Sequence, residues 1–296
     1  MTLYDITARI RYDYDPPATA GHNILRLMPA DIPGRQRLIL GQIAASPDPA
    51  ECGERLDFFG NRVTEINFRN PAATTAFTLR ARVERLAEPS ARLDLSPRLA
   101  GLAEQIGNNH ALAPASPQHF LGPSPRIAPS DEIAAFARHV TARAASTRRV
   151  MAALGKALHE AMIFDASATT VDTTPAQAFR LRRGVCQDLA HVMICGLRSL
   201  GVPAAYVSGY LRTLPPKGQP RLEGADAMHA WVRAWCGHDT GWLEYDPTNA
   251  IPAGAGHVIV GYGRDYDDVC PVQGILRLSG AQRSTQSVDT RPLSEE

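Results

Sequence analysis

The sequence lacks an excess of either charge, which limits the kinds of partner it can have. Its 296 residues include 31 Lys and Arg against 30 Asp and Glu, a formal net charge of +1. Proteins dedicated to nucleic acids usually carry a marked basic excess, so we expect no nucleic-acid partner. Hydrophobic residues make up 44% of the chain and charged residues 21%, a mixture that predicts a globular protein rather than a disordered one.

Long apolar runs are also missing. No stretch reaches the ~18 apolar residues that a membrane-spanning helix needs. The start of the chain contains Asp5, Arg9, Arg11 and Asp13, whereas a secretory signal peptide requires an uninterrupted apolar segment. We therefore expect a cytoplasmic protein with no membrane partner.

Cysteine is scarce, and its pattern is not that of a disulfide framework or a clustered zinc site. The five cysteines are Cys52, Cys186, Cys195, Cys236 and Cys270. Their number is odd, and no two form a CxxC pair. The HExxH motif of zinc hydrolases is absent as well, so a zinc hydrolase is the least favoured interpretation. We predict reduced thiols, no metal and no cofactor.

What the sequence does contain begins with period-two alternation. Apolar residues from Tyr4 to Tyr14 alternate with polar ones, and the same pattern recurs from Thr75 to Val83. This period predicts half-buried strands. A Gly-Asn turn at Gly60 predicts a hairpin between them. Residues 1–87 are therefore predicted to form an antiparallel, β-sandwich-like domain.

The character of the chain changes after that domain. Residues 88–129 hold seven of the 23 prolines, which predicts a connector because proline blocks long helices and central strands. Residues 130–280 combine helical periodicity with short apolar strands, among them 204–211 and 257–262. The fold class is therefore α+β, with helices packed on an antiparallel sheet. The polar residues 281–296 are expected to form a flexible tail.

One cysteine has a setting of its own. Cys186 follows Gly184 and directly precedes a predicted helix that starts at Gln187. A helix N-terminus offers unpaired N–H groups and a partial positive charge, which favour the nucleophilic thiolate form of a cysteine. The same N–H groups can stabilise an oxyanion on the attacked carbonyl.

A histidine and an aspartate complete the candidate site. His229 begins one predicted strand, and Asp246 ends the next. Such a pair can form a hydrogen bond that orients the imidazole and stabilises its protonated form. A hairpin folded symmetrically about Asp239 would set His229 opposite residue 249, so we expect a bulge or an asymmetric loop to bring Asp246 to it.

The residues around this site resemble a known family. The matching blocks are 183–191, 200–210, 228–232 and 245–249, and they are similar to the core of bacterial transglutaminase-like proteins. The resemblance implies a papain-like core in which Cys186 attacks a carboxamide or peptide carbonyl, His229 transfers protons and Asp246 orients His229. Water or an amine would then resolve the thioester.

The sequence departs from the animal members of the family at the oxyanion donor. Animal transglutaminases place a tryptophan before the nucleophile, but here every tryptophan follows Cys186. Gln187 and Trp231 are candidate oxyanion or substrate-binding residues, although Gln187 also suits a helix start and Trp231 also suits sheet packing. Three aspartates over 265–268 lack the glycine and glutamate of a calcium-binding EF-hand loop, so we predict a solvated loop there.

The expected partner is a peptide or protein substrate that bears an amide. We favour hydrolysis because no amine-binding site is evident. Protein-glutamine acyl transfer remains an alternative, as does a non-catalytic peptide-binding module of the same fold. A structural scaffold assembled through the β domain is a further alternative, and the sequence does not indicate an oligomeric state.

Overall fold

A computed structural model describes residues 1–86, 93–212, 226–276 and 280–293. Within these residues it contains mostly antiparallel sheets and six α-helices, which confirms the α+β class. The predicted domain boundary at residues 87 and 88 lies outside the described ranges.

The first part of the chain is built of strands. They are β1 (Thr2–Ala18), β2 (Gly21–Leu25), β3 (Gln36–Ser46), β4 (Glu51–Leu56), β5 (Arg62–Phe68) and β6 (Ala72–Arg85). The predicted alternation in β1 is confirmed, since Tyr4, Ile6 and Ile10 are buried. β1 pairs with β6 in antiparallel register, with Ile6 opposite Ala81 and Ile10 opposite Phe77.

The second part is mixed. Its helices are α1 (Leu99–Gly107), a 3-10 helix (Pro117–Phe120), α2 (Asp131–Thr141), α3 (Thr147–Ala161), α4 (Pro175–Leu181), α5 (Cys186–Ser199) and α6 (Tyr266–Val269). Its strands are β7 (Ile163–Phe164), β8 (Arg183–Gly184), β9 (Ala204–Leu211), β10 (Ala227–Trp235), β11 (Trp242–Asp246), β12 (Ile251–Pro252), β13 (His257–Gly263), β14 (Val272–Leu276) and β15 (Ala281–Pro292). The longest helix, α3, has 15 residues, and no helix of the described residues is long and apolar enough to cross a membrane.

The strands at the start of the chain form a β-sandwich that the last two strands complete. One sheet has the order β15-β1-β6-β3 and the other the order β14-β2-β5-β4. Their facing sides share one apolar core, to which Ile6 and Phe77 contribute from the first sheet and Leu25 and Ile66 from the second.

The expectation of a flexible tail over 281–296 is therefore wrong for the residues of β15. This strand pairs with β1 from Tyr4 opposite Pro292 to Asp15 opposite Ala281. Only Val288 and Thr290 within β15 are buried, so backbone hydrogen bonds rather than side-chain burial hold this edge strand. A polar sequence with so little apolar alternation gives no sign of such pairing.

The core is a five-stranded antiparallel sheet with the order β12-β11-β10-β9-β13. Helices α2, α3 and α4 surround α5, which packs on β10 and β9. Its apolar cluster includes Leu154, Val192 and Val232. This packing fixes the start of α5 at one end of the sheet. The start of β10 and the end of β11 lie at the same end.

Two amide side chains of the sandwich hold β13, the edge strand of the core sheet. The Gln36 side chain donates to the Ile259 carbonyl (2.7 Å) and accepts from the Ile259 N–H (2.8 Å). Asn61 makes the same pair of bonds with Tyr262, both at 2.8 Å. An amide group carries one donor side and one acceptor, as a peptide unit does, so these residues stand in for a sixth strand.

Candidate active site

Cys186 is the first residue of α5, so the helix begins one residue before the predicted start at Gln187. Asp188 supports this helix start, because its carboxylate accepts from the Val185 N–H (2.8 Å) and from the Thr169 hydroxyl (2.7 Å). Gly184 is packed so tightly that a Cβ there would lie 2.6 Å from an Asp188 oxygen. The N–H groups of the first turn have no carbonyl partner within the helix, so they can receive a ligand oxygen beside the sulfur.

His229 lies between Cys186 and Asp246. Its Nε2 is 2.8 Å from Asp246 Oδ2, and the Cys186 side chain lies close enough to affect the pKa of His229. Because Nε2 faces Asp246, Nδ1 is the nitrogen available to the sulfur. Burial opposes the charged imidazolium, but the interactions with Asp246 and Cys186 outweigh it and raise the pKa of His229 to about 10.

The register of the β10–β11 hairpin differs from the expectation of a bulge. Residues Val232–Trp235 pair without interruption with Trp242–Tyr245. Extending this register would set Asp246 opposite Trp231, which shares a face with His229 two residues away. Asp246 therefore reaches His229 along a diagonal of a regular hairpin, and no bulge is needed.

Asp246 is fully buried and accepts hydrogen bonds at both carboxylate oxygens. The donors are the Thr248 N–H and Asn249 N–H on Oδ1, and His229 Nε2, His257 Nε2 and Asn249 Nδ2 on Oδ2. Burial alone would favour the neutral acid, but the bonds from His229 and His257 hold the pKa of Asp246 well below its usual range. The aspartate is a carboxylate.

Sequence reasoning missed His257. Its Nε2 lies 3.1 Å from Asp246 Oδ2, and its Nδ1 accepts from the Gly254 N–H (3.2 Å). Since Nδ1 is an acceptor, Nε2 carries the proton and donates to Asp246. Two strands, β9 and β10, separate β13 from β11 in the sheet, so no pattern of neighbouring strands indicates this contact.

The histidine and carboxylate atoms of His229, Asp246 and His257 lie within 4.8 Å of one another. Such spacing alone would suit a metal ion. A nitrogen that carries a proton has no lone pair for a metal, however, and both Nε2 atoms donate to the carboxylate. We interpret the group as a hydrogen-bonded cluster.

The two oxyanion candidates have different positions. Gln187 donates from Nε2 to the Val171 carbonyl (3.2 Å), so its side chain points along the surface while its N–H belongs to the first turn of α5. Trp231 is 0% exposed and donates from Nε1 to Glu244 Oε2 (2.7 Å). Because the ring is fully buried and its only side-chain donor is already used in the interior, the expectation that the Trp231 side chain binds substrate or an oxyanion is wrong.

The predicted solvated loop over 265–268 is corrected as well. Asp265 is fully buried and caps α6, and its carboxylate accepts from the Arg126 N–H (2.8 Å). Asp267 pairs with Arg126 (2.7 Å), and Asp268 pairs with Arg264 (2.9 Å). Each of the three carboxylates is therefore bound by an arginine, Asp265 through a backbone N–H and the other two through guanidinium groups.

Comparison with known proteins gives the family. The model of the bacterial transglutaminase-like N-terminal region matches residues 4–84, and that of the transglutaminase-like superfamily matches residues 134–247. An uncharacterized protein of Mycobacterium tuberculosis is 31% identical over 284 residues, covering 92% of this chain and 87% of its own. The chain belongs to the bacterial transglutaminase-like proteins. A second relative, an uncharacterized protein of Mycobacterium leprae, is 32% identical, and the match covers 91% of each chain.

A solved structure shares the transglutaminase-like fold. It is a candidate cysteine protease from Cytophaga hutchinsonii, with a TM-score of 0.79 and 21% identity, and the match covers 100% of this chain and 92% of that one. The two proteins therefore share their fold over the full length of this chain, and this shared fold includes the papain-like core. The match to the transglutaminase-like superfamily spans Cys186, His229 and Asp246.

Proposed function

We propose that this transglutaminase-like protein is a cysteine enzyme that cleaves amide or peptide bonds through a thioester intermediate. Cys186 is the nucleophile, His229 the general base and acid, and Asp246 the residue that orients His229. The observation that carries the proposal is the bond of 2.8 Å from His229 to Asp246, together with a cysteine at the start of α5 whose side chain raises the pKa of His229. A nucleophile, a base and a group that orients the base are what covalent catalysis requires.

The reaction proceeds in two halves. The Cys186 thiolate attacks the carbonyl carbon, and the His229 imidazolium donates its proton to the departing amine, which leaves the acyl group on sulfur. Neutral His229 then takes a proton from water, whose oxygen attacks the thioester carbon. The C–S bond breaks, which releases a carboxylic acid and restores the Cys186 thiolate beside protonated His229. The N–H groups at the start of α5 stabilise the oxyanion in both halves.

Hydrolysis is the favoured second half, and acyl transfer to an amine is the competing one. Both share the thioester, so the acceptor alone separates them. The substrate is a peptide or protein amide, because the thiolate needs a carbonyl with an amine leaving group. The match to a candidate cysteine protease supports this substrate class.

The test uses wild type, Cys186→Ala and Cys52→Ala with a library of peptide amides, with and without methylamine. Cys52 is exposed on β4, so its variant is a matched control for loss of a thiol. We expect Cys186→Ala to lose turnover by about a thousandfold or more, and Cys52→Ala to keep it. Free acid as the product in the presence of methylamine indicates hydrolysis, whereas the N-methylamide indicates transfer. Equal turnover by wild type and Cys186→Ala would contradict the proposal.

A further inference from the structure

One oxygen of Asp246 serves three side chains at once. Oδ2 accepts from His229 (2.8 Å), His257 (3.1 Å) and Asn249 (2.7 Å). A carboxylate oxygen has only about two lone-pair positions, so these donors share its negative charge. His229 therefore faces a carboxylate whose charge is partly used elsewhere.

His257 is not needed to hold Asp246 in place. Oδ1 is already fixed by the Thr248 N–H (2.8 Å) and the Asn249 N–H (3.2 Å). Asn249 also donates to Oδ2 from its side chain, within the same turn as Asp246. The bond from His257 is an addition to a carboxylate that its own turn anchors.

The His257 side chain is itself held rigidly. It is 3% exposed, its Nδ1 accepts from the Gly254 N–H, and its ring packs against Trp231 at 5.1 Å. These contacts keep Nε2 directed at Asp246. A buried donor held in one orientation is suited to a constant influence on the carboxylate.

We propose that His257 is a positioning residue that limits the negative charge Asp246 presents to His229, and so sets the pH at which the Cys186–His229 pair becomes reactive. The inference rests on the proposed function of Cys186 and His229. His229 must hold a proton while the thiolate forms and then release it to the leaving amine. A carboxylate with fewer donors would hold that proton more tightly, which favours the thiolate but weakens His229 as an acid.

The titratable groups around the cluster come from several elements. Cys186 faces it from α5, Tyr245 lies beside Asp246 on β11 and interacts with its charge, and His159 of α3 contacts the Thr248 carbonyl (2.9 Å). Substitution of His257 leaves all of these groups in place. A change in pH profile then reports on the shared carboxylate.

The test compares His257→Leu with His257→Gln. Leucine removes the donor at similar volume, whereas the side-chain nitrogen of glutamine can occupy the place of Nε2. The rate of Cys186 alkylation by iodoacetamide is measured against pH by mass spectrometry of the Cys186 peptide, with exposed Cys52 as the internal reference. We expect His257→Leu to move the pH midpoint down by about half a unit or more, and His257→Gln to stay close to wild type.

A second variant keeps the inference testable if His257→Leu does not fold. Asn249 is exposed, and Asn249→Ala removes another Oδ2 donor while keeping the backbone N–H, so we expect a shift in the same direction. An unchanged midpoint in the folded variants, or a shift to higher pH, overturns the inference. If wild-type Cys186 instead follows the same pH dependence as Cys52, the proposed function itself fails.

Discussion

His191 lies on α5 five residues after Cys186, and the proposed chemistry does not use it. It is 1% exposed, and its Nε2 accepts from the Tyr266 N–H (3.2 Å). Burial is the main cause that lowers the pKa of His191 to about 4, and the positive charges of Arg126 and Arg198 add to it against the opposing effect of Asp265. The residue is therefore a neutral acceptor that ties α5 to α6.

This neutral histidine gives the fold a pH dependence. Between the unfolded pKa near 6.5 and the folded pKa of about 4, the unfolded chain binds the extra proton, so stability falls as pH falls. We predict that His191→Gln, which keeps an acceptor but cannot titrate, loses less stability than wild type from pH 7 to 4.5. The difference should be about 2 kcal/mol in urea unfolding. Parallel curves for the two proteins would contradict the prediction.

At the scale of elements, the start of α5 depends on close packing between Gly184 and Asp188. A Cβ at position 184 would meet the Asp188 side chain at 2.6–2.8 Å. Since that carboxylate also accepts from the Val185 N–H and the Thr169 hydroxyl, it has no free direction in which to move. The position of the first turn of α5, which carries Cys186, thus depends on residue 184 being a glycine.

We predict that Gly184→Ala displaces this turn. The expected result is a loss of about 1–3 kcal/mol in stability, as for other overpacked sites, and slower alkylation of Cys186. Gly107→Ala at the end of α1 is the matched control, because a Cβ there meets nothing within 4 Å. Urea unfolding and the rate of Cys186 alkylation provide the two measurements. Similar behaviour of the two variants would show that the turn tolerates the methyl group.

Elements with strong local signals were predictable. The predicted strand at 204–211 is confirmed, since β9 has the same ends. It was predictable because it is mostly apolar and Pro203 directly precedes it. The helix start at Cys186 is confirmed as well, within a residue. The contacts of His257 and the pairing of β15 were not predictable, because both join segments distant in sequence and neither follows an apolar period.

At the scale of the whole molecule, the sandwich and the core are joined through the edge of β13. Gln36 is 1% exposed and supplies both bonds to Ile259, and its Nε2 also donates to the Ala30 carbonyl (2.7 Å). Exposed strand edges are pairing sites for other chains. The side chains of Gln36 and Asn61, which we call the amide ladder, therefore cover the free edge of β13. The same bonds join the sandwich to the core.

We predict that Gln36→Met destabilises the protein by about 1–3 kcal/mol, because it leaves the buried Ile259 N–H without its acceptor. The Ile259 carbonyl keeps a second donor, the Ala30 N–H (2.9 Å). The control is Gln42→Met on the same strand, where the side chain is exposed and the expected change is within about 0.5 kcal/mol. Thermal and urea unfolding test both variants. An equal effect of the two substitutions would indicate that the ladder contributes nothing.

The last two strands, β14 and β15, belong to the sandwich at the start of the chain. This arrangement determines when the sandwich can finish folding during synthesis. A ribosome makes β1 first and supplies its partner β15 only after the entire core has emerged. Until then the sandwich lacks two of its eight strands, and one edge of β1 is open to foreign strands. The sheet that contains β1 is thus the first to begin forming and the last to gain all its strands. A chain released before β15 is made would expose the unpaired edge of β1, where other strands can pair and cause aggregation.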